Sequence, residues 1–156
     1  AGRPALYFKL SEKSEKFFPQ EYANLLLSLL KNLEEIDGRE KVGEVLTYRR
    51  KKMAEEYAEL LAGTDLQEKV EIIAKLRDEG GYMAEAKDLG DDLLLKEHNC
   101  PIHSIAKEFP EICHLELELF QELSGGNVER LDHQLNGNSS CVYKISKSNG
   151  KKKAKD

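Results

Sequence analysis

The sequence predicts an α+β fold with a mainly helical first half and an antiparallel sheet in the second. Between residues 20 and 80, apolar residues recur every three or four positions, which is typical of amphipathic helices. After Gly81, short apolar runs are separated by turns rich in glycine, asparagine and aspartate, which is typical of strands and hairpins. A chain of 156 residues is long enough to bury one core together with a small additional element.

The first elements predicted are a short strand and one helical turn. Residues 5–10 are rich in strand formers, and Ser11 could cap a short helix that ends before Pro19. The sequence starts without methionine, and its first residues resemble the interior of a longer protein. We therefore expect a fragment or a truncated product.

Three helices are predicted next. The first spans residues 20–36, the second spans 39–61, and the third begins at Thr64 or Asp65 and stops at Gly80-Gly81. The first carries an apolar stripe formed by Tyr22, Leu25, Leu26, Leu29, Leu30, Leu33 and Ile36. The second directs another apolar set inward, formed by Val42, Val45, Leu46, Met53, Tyr57 and Leu60. The basic run at 49–52 is interpreted as a solvated helix face.

The second half of the chain is predicted to contain four strands and two helices. The helices cover 102–109 and 111–123, on either side of Pro110. The strands lie near 82–86, 92–98, 128–134 and 140–145, and the basic tail at 147–156 is predicted to be disordered.

Composition limits the classes of function. The chain is 40% hydrophobic and 34% charged with a net charge of -5, so any contact with nucleic acid has to be local. It contains neither a stretch that could span a membrane nor a signal peptide, and we expect a cytoplasmic protein with no membrane partner. No Gly-rich phosphate loop or Ser-His-Asp arrangement is present, so we expect no enzyme activity and no small-molecule substrate.

All three cysteines and all four histidines fall between residues 98 and 141. Twelve residues separate Cys100 from Cys113 and 27 separate Cys113 from Cys141, which is too open for ordinary zinc ribbons. Each cysteine lies at the end of a predicted element, where the three can converge. Thiolate ligands favour iron-sulfur clusters or zinc. Alternatively, the three cysteines are small buried apolar residues that bind no metal. The predicted position of Cys113 near a helix start is expected to lower the pKa of its thiol.

A resemblance extends over these residues. It is carried by Glu97-His98-Asn99-Cys100-Pro101-Ile102, by Phe109-Pro110-Glu111-Ile112-Cys113 with Glu116-Leu117 and Phe120, and by Val128-Glu129-Arg130, Gly137 and Cys141-Val142-Tyr143-Lys144-Ile145. These segments resemble the C-terminal domain of the repressors of the SUF iron-sulfur cluster assembly operon. The opening segment from Gly2 to Leu10 resembles the wing of that family's winged helix-turn-helix.

The resemblance implies a homodimeric, cluster-sensing transcriptional repressor. Each subunit would bind one iron-sulfur cluster, usually 4Fe-4S, through Cys100, Cys113 and Cys141, and loss of the cluster would release operator DNA. The fourth ligand is then either a side chain other than cysteine or an external molecule. We assign it to His133, whose predicted strand pairs with the strand of Cys141. His98 and His103 are alternatives, whereas His114 would point away from Cys113. The alternative function is a structural zinc domain of a DNA-binding regulator, without cluster sensing.

Four regions follow from this interpretation. Residues 1–19 are the remnant of the winged helix-turn-helix, 20–80 form a helical linker and dimerisation region, 81–146 form the cluster-binding domain, and 147–156 are the tail. Arg3 lies at the predicted tip of the wing, where it could enter the DNA minor groove. The recognition helix would lie upstream of the given sequence, so sequence-specific binding is expected of a full-length form.

Overall fold

The structure is a computed structural model that describes residues 21–146, which contain five α-helices and a four-stranded antiparallel sheet. The predicted α+β class is therefore confirmed. The predictions for the wing, the short first helix, Arg3 and the basic tail lie outside the described residues. The elements are α1 Tyr22–Asp37, α2 Arg39–Leu60, α3 Leu66–Arg77, β1 Ala84–Asp88, β2 Asp92–Glu97, α4 His103–Glu108, α5 Glu111–Ser124, β3 Asn127–Asp132 and β4 Cys141–Ser146.

The helix boundaries follow local chemistry. Asp65 caps α3 in a capping box: the Glu68 N–H donates to the Asp65 carboxylate at 2.9 Å, and the Asp65 N–H donates to the Glu68 carboxylate at 3.1 Å. Gly38 alone separates α1 from α2, and its φ of 85° suits glycine. None of the helices between residues 21 and 146 is both long enough and apolar enough to span a membrane.

Two hydrophobic clusters hold the elements together. The smaller one joins α1, the first half of α2, and α4 through Leu30, Val42, Leu46, Ile105 and Phe109. The larger one joins the end of α2, α3 and α5 to one face of the sheet. Its members include Leu61, Val70, Ile73, Leu95, Leu119, Phe120, Cys141, Tyr143 and Ile145. The helices therefore cover one face of the sheet, and α2 contributes to both clusters.

The sheet has the strand order β1-β2-β4-β3. Leu95 of β2 lies opposite Tyr143 of β4, and Glu97 lies opposite Cys141. Residues directly opposite each other in an antiparallel pair share a face. Glu97 and Cys141 therefore lie on the helix-covered face, at the end of the sheet where β2 finishes and β4 begins.

Four predicted details differ from the structure. The first strand begins at Ala84 because residues 78–82 form a π-helical turn and Met83 adopts a left-handed conformation with a φ of 51°. The third strand ends at Asp132, before His133. On α2, Val45 and Leu60 were expected inward but are 45% and 56% exposed. The basic run of α2 also includes Arg50, which is largely covered because it pairs with Glu118 and Glu122 of α5.

Replacement of two glycines by alanine should have opposite effects on the stability of the fold. A Cβ on Gly126 would lie 2.7 Å from the Ser146 backbone oxygen, so Gly126→Ala should destabilise the fold by about 1–3 kcal/mol. A Cβ on Gly43, inside α2, would meet no atom within 4 Å, so Gly43→Ala should stabilise the fold by about 0.5–1 kcal/mol. Urea unfolding of both variants measures the two shifts. Equal shifts would contradict the packing at Gly126.

Candidate metal centre

The segments that carry the three cysteines meet at one end of the sheet. Cys141 is the first residue of β4 and lies opposite Glu97, the last residue of β2. Cys100 follows three residues after Glu97, and Cys113 is in the first turn of α5. All three are free thiols; Cys113 and Cys141 are buried and Cys100 is half-buried. The loop after β2, the start of α5 and the start of β4 thus supply one thiol each.

The thiols are close enough to influence one another electrostatically. Burial, together with the charges of Glu116 and Cys141, raises the pKa of Cys100 to about 11. Burial, together with Glu116, Cys100 and Cys141, raises the pKa of Cys113 to about 12, although Arg130 opposes the shift. The expectation that the start of α5 would lower the pKa of Cys113 is therefore wrong, because desolvation outweighs the helix dipole. Without a metal, these groups remain thiols at neutral pH.

A backbone N–H group is directed at the Cys141 sulfur. The Gln134 N–H donates to Cys141 Sγ, with 3.5 Å between nitrogen and sulfur, and this contact lowers the pKa of Cys141 against the larger effect of burial. The backbone of Ile102 acts in the same direction on the pKa of Cys100. Hydrogen bonds to cysteine sulfur are one of the means by which proteins tune iron-sulfur clusters. Cys141 therefore already has such a partner.

Arg130 of β3 adds positive charge at the same end of the sheet. Its guanidinium donates to the Cys113 backbone carbonyl and lies 5.3 Å from the centre of the Tyr143 ring. Although burial raises the pKa values of Cys113 and Cys141, the charge of Arg130 acts in the opposite direction on both. A cation in this position would stabilise thiolates that bind a metal.

Next to the cysteine-bearing segments lies a group of buried charged residues that the sequence analysis did not identify. Arg77 Nε donates to Glu97 Oε1 at 2.5 Å, and a second nitrogen of the same guanidinium donates to Glu116. The Tyr143 hydroxyl donates to the other Glu116 oxygen at 3.1 Å. Burial and the Glu116 charge raise the pKa of Glu97 to about 7 despite its bond to Arg77, because one guanidinium serves two carboxylates.

The sequence contained a signal for these charges. Arg77 follows Val70, Ile73 and Ala74 at helical spacing, so it occupies a position on the apolar face of α3. Glu97 likewise continues the inward alternation of Leu93 and Leu95 in β2. A charged residue at an inward position indicates a buried partner of opposite charge.

The histidines lie in different environments. His133 is half-buried just beyond β3, where burial and then the charge of Arg130 lower the pKa of its ring. The register of β3 against β4 shifts between Arg130 and Asp132, so a β-bulge lies just before His133. His98 Nε2 lies 2.9 Å from Glu85, and His114 is 73% exposed beside Glu118.

His103 lines an open surface depression at the same end of the sheet, together with Asn99, Cys100, Gln134, Gly137 and Asn138. His103 and Cys100 therefore share this depression, and His133 directly precedes Gln134, whose N–H is directed at Cys141 Sγ.

The donor set fits an iron-sulfur cluster. Its three soft sulfur donors come from separate segments, and that of Cys141 accepts a hydrogen bond from the Gln134 backbone N–H. Within residues 21–146, no three His, Cys, Asp or Glu side chains converge so as to hold one metal ion. A cubane cluster binds each thiolate through a different iron, so its ligands surround a volume and need not converge on one point.

Comparison with protein-family models gives no match to the chain, and no curated protein is significantly similar to it.

Proposed function

We propose that the chain is the sensor part of an iron-sulfur-regulated transcriptional repressor, in which Cys100, Cys113 and Cys141 bind one cluster, 4Fe-4S in type, per subunit. The observation that carries the proposal is the meeting of three thiols from three separate segments at one end of the sheet. A bound cluster supplies an oxidant-sensitive link between these segments. Without it, the loop after β2, the start of α5 and the start of β4 are held only by the protein's own contacts.

Sensing then follows from the separation of the ligands along the chain. Each thiol constrains one element, so binding through all three favours one relative arrangement of β2, α5 and β4, and loss of the cluster removes that preference. Since α5 packs against the end of α2 in the larger hydrophobic cluster, a shift of α5 would be passed to the helices before residue 63. We propose His133 as the fourth ligand, with His103 and His98 as alternatives.

The experiment that tests the function is anaerobic purification followed by analysis of iron, sulfide and zinc. Brown protein with iron and sulfide in equal amounts and a broad visible absorption band supports the cluster. Colourless protein with stoichiometric zinc supports the alternative, a structural zinc domain of a DNA-binding regulator. Protein that takes up neither metal under reconstitution contradicts both proposals.

We further propose that the protein is a homodimer that contacts through α1 and α2. The α1 apolar face, formed by Tyr22, Leu25, Leu26, Leu29 and Ile36, is 45–78% exposed. Patches of this kind on soluble proteins commonly mark interaction surfaces.

The double variant Leu25→Ser/Leu29→Ser should raise the dimer dissociation constant by about 100-fold or more, because each buried leucine contributes about 1.5 kcal/mol or more. Sedimentation at micromolar concentration measures the change. Leu89→Ser, a change of an exposed leucine in the β1–β2 turn, is the matched control and should leave the dimer intact. A monomeric parent protein would contradict the proposal.

Operator DNA is the proposed partner of the full-length form, in which Arg3 at the wing tip would add affinity through the minor groove. In this proposal the protein is a cytoplasmic regulator that has neither a substrate nor a catalytic residue of its own.

A further inference from the structure

One buried hydrogen-bonded network connects four elements of the fold. Its members, here called the Arg77 network, are Arg77 of α3, Glu97 of β2, Glu116 of α5 and Tyr143 of β4. The side chains of Arg77 and Glu97 are each 3% exposed, that of Glu116 is 15% exposed, and Tyr143 is fully buried. Because polar groups in such surroundings are costly when unpaired, the three hydrogen bonds hold together as a unit.

Most members of this network lie close to a cysteine in the sequence. Three of them lie two or three residues from a different cysteine: Glu97 before Cys100, Glu116 after Cys113, and Tyr143 after Cys141. On α5, a separation of three residues places Glu116 and Cys113 on the same face. Arg77 itself lies on α3, which carries no cysteine.

A second set of contacts ties Arg77 to the Cys100 loop. The guanidinium stacks on the Tyr82 ring at 3.3 Å from its centre. The π-helical turn that carries Tyr82 accepts two hydrogen bonds from Asn99: the Asn99 N–H donates to the Tyr82 carbonyl at 3.0 Å, and its amide Nδ2 donates to the Gly81 carbonyl at 2.7 Å. Arg77 is therefore linked to the Cys100 loop in two ways: directly through Glu97, and through the Tyr82 turn that binds Asn99.

We propose that Arg77 is a positioning residue that sets the placement of the Cys100 segment relative to the Cys113 segment through Glu97 and Glu116, while Tyr143 ties the Cys141 segment to Glu116. The proposal rests on the proposed function in so far as the positioned thiols are cluster ligands. A single guanidinium between two carboxylates fixes β2 against α5, and the Tyr143 hydroxyl fixes α5 against β4. The ligand geometry is thus prepared by contacts that lie outside the ligands themselves.

The test uses cysteine-resolved alkylation of the metal-free protein by iodoacetamide, read by mass spectrometry. Tyr143→Phe removes one hydrogen bond, the link between β4 and Glu116. Alkylation should therefore accelerate about fivefold at Cys141 and remain unchanged at Cys100 and Cys113. Arg77→Met should accelerate alkylation at Cys100 and Cys113 by about fivefold or more.

Arg50→Met is the matched control, since Arg50 pairs with Glu118 and Glu122 on the same helix α5 outside the network. It should leave all three alkylation rates unchanged. A general loss of stability would accelerate the three cysteines equally, and this result, or an Arg77→Met pattern identical to that of Arg50→Met, would overturn the proposal.

A parallel measurement follows cluster loss to a chelator after anaerobic reconstitution. Arg77→Met should shorten the half-time about tenfold, within the range typical of changes to groups that support metal ligands, whereas Arg50→Met should not change it. Equal half-times in these two variants would contradict positioning of the ligands. If the parent protein takes up no iron, the proposed function fails, while the alkylation pattern still decides whether the network positions the thiols.

Discussion

Single replacement of Cys100, Cys113 or Cys141 by serine is expected to abolish or severely weaken cluster retention. A serine hydroxyl is a poor ligand for the soft iron of a cluster, and the remaining ligands leave one iron open to solvent and oxygen. The loss of iron should exceed the roughly 10- to 100-fold weakening seen when only a supporting group is changed. Iron and sulfide content after anaerobic reconstitution, with the visible spectrum, measures the effect.

Histidine variants provide the comparison. His133→Ala should give a partial loss, because water or a buffer thiol can replace one nitrogen donor, whereas exposed His114→Ala is the matched control and should change nothing. Full cluster content in Cys141→Ser would falsify the three-cysteine assignment. An unchanged His133→Ala would instead move the fourth ligand to His103, His98 or an external molecule.

The regular elements could be predicted because their signals are local. The stripe of α1, the capping residue of α3, the break at Pro110 and the four strand segments each depend on residues that are close in sequence. The errors lie where tertiary contacts override local preference. Tyr82 has a high strand propensity, yet it covers Arg77 in a π-helical turn, and Met83 takes a left-handed conformation that no sequence pattern predicts.

The cysteines of the candidate site were singled out from the sequence, but the buried charges beside them were not. Thiols are rare enough to be singled out individually, whereas Glu116 resembles a surface residue in a chain that is 34% charged, and the inward position of Arg77 does not identify its partners. The register that places Glu97 opposite Cys141 becomes visible only when β2 and β4 pair. The high pKa of Cys113 depends on burial by several elements, so the position at a helix start gave the wrong direction.

Replacement of Phe120 by alanine is expected to have the largest effect on the stability of the metal-free fold. Phe120 is fully buried on α5, and its ring meets that of Tyr143 edge-on at 4.9 Å. Removal of such a side chain typically costs about 3–5 kcal/mol, from lost transfer energy and from the cavity left behind. Since the free energy of unfolding of such domains is only about 5–15 kcal/mol, the Phe120→Ala variant should be barely able to fold.

Denaturant unfolding of the metal-free protein measures this loss, and Leu89→Ala is the control because Leu89 is 52% exposed and should change stability by less than about 0.5 kcal/mol. Phe120 contributes no ligand, so a bound cluster should restore part of the lost stability by binding only the folded state. The same cluster should give no such recovery to Cys113→Ser, which lacks a ligand. A Phe120→Ala variant as stable as Leu89→Ala would contradict the packing of α5 against the sheet, on which the placement of Cys113 depends.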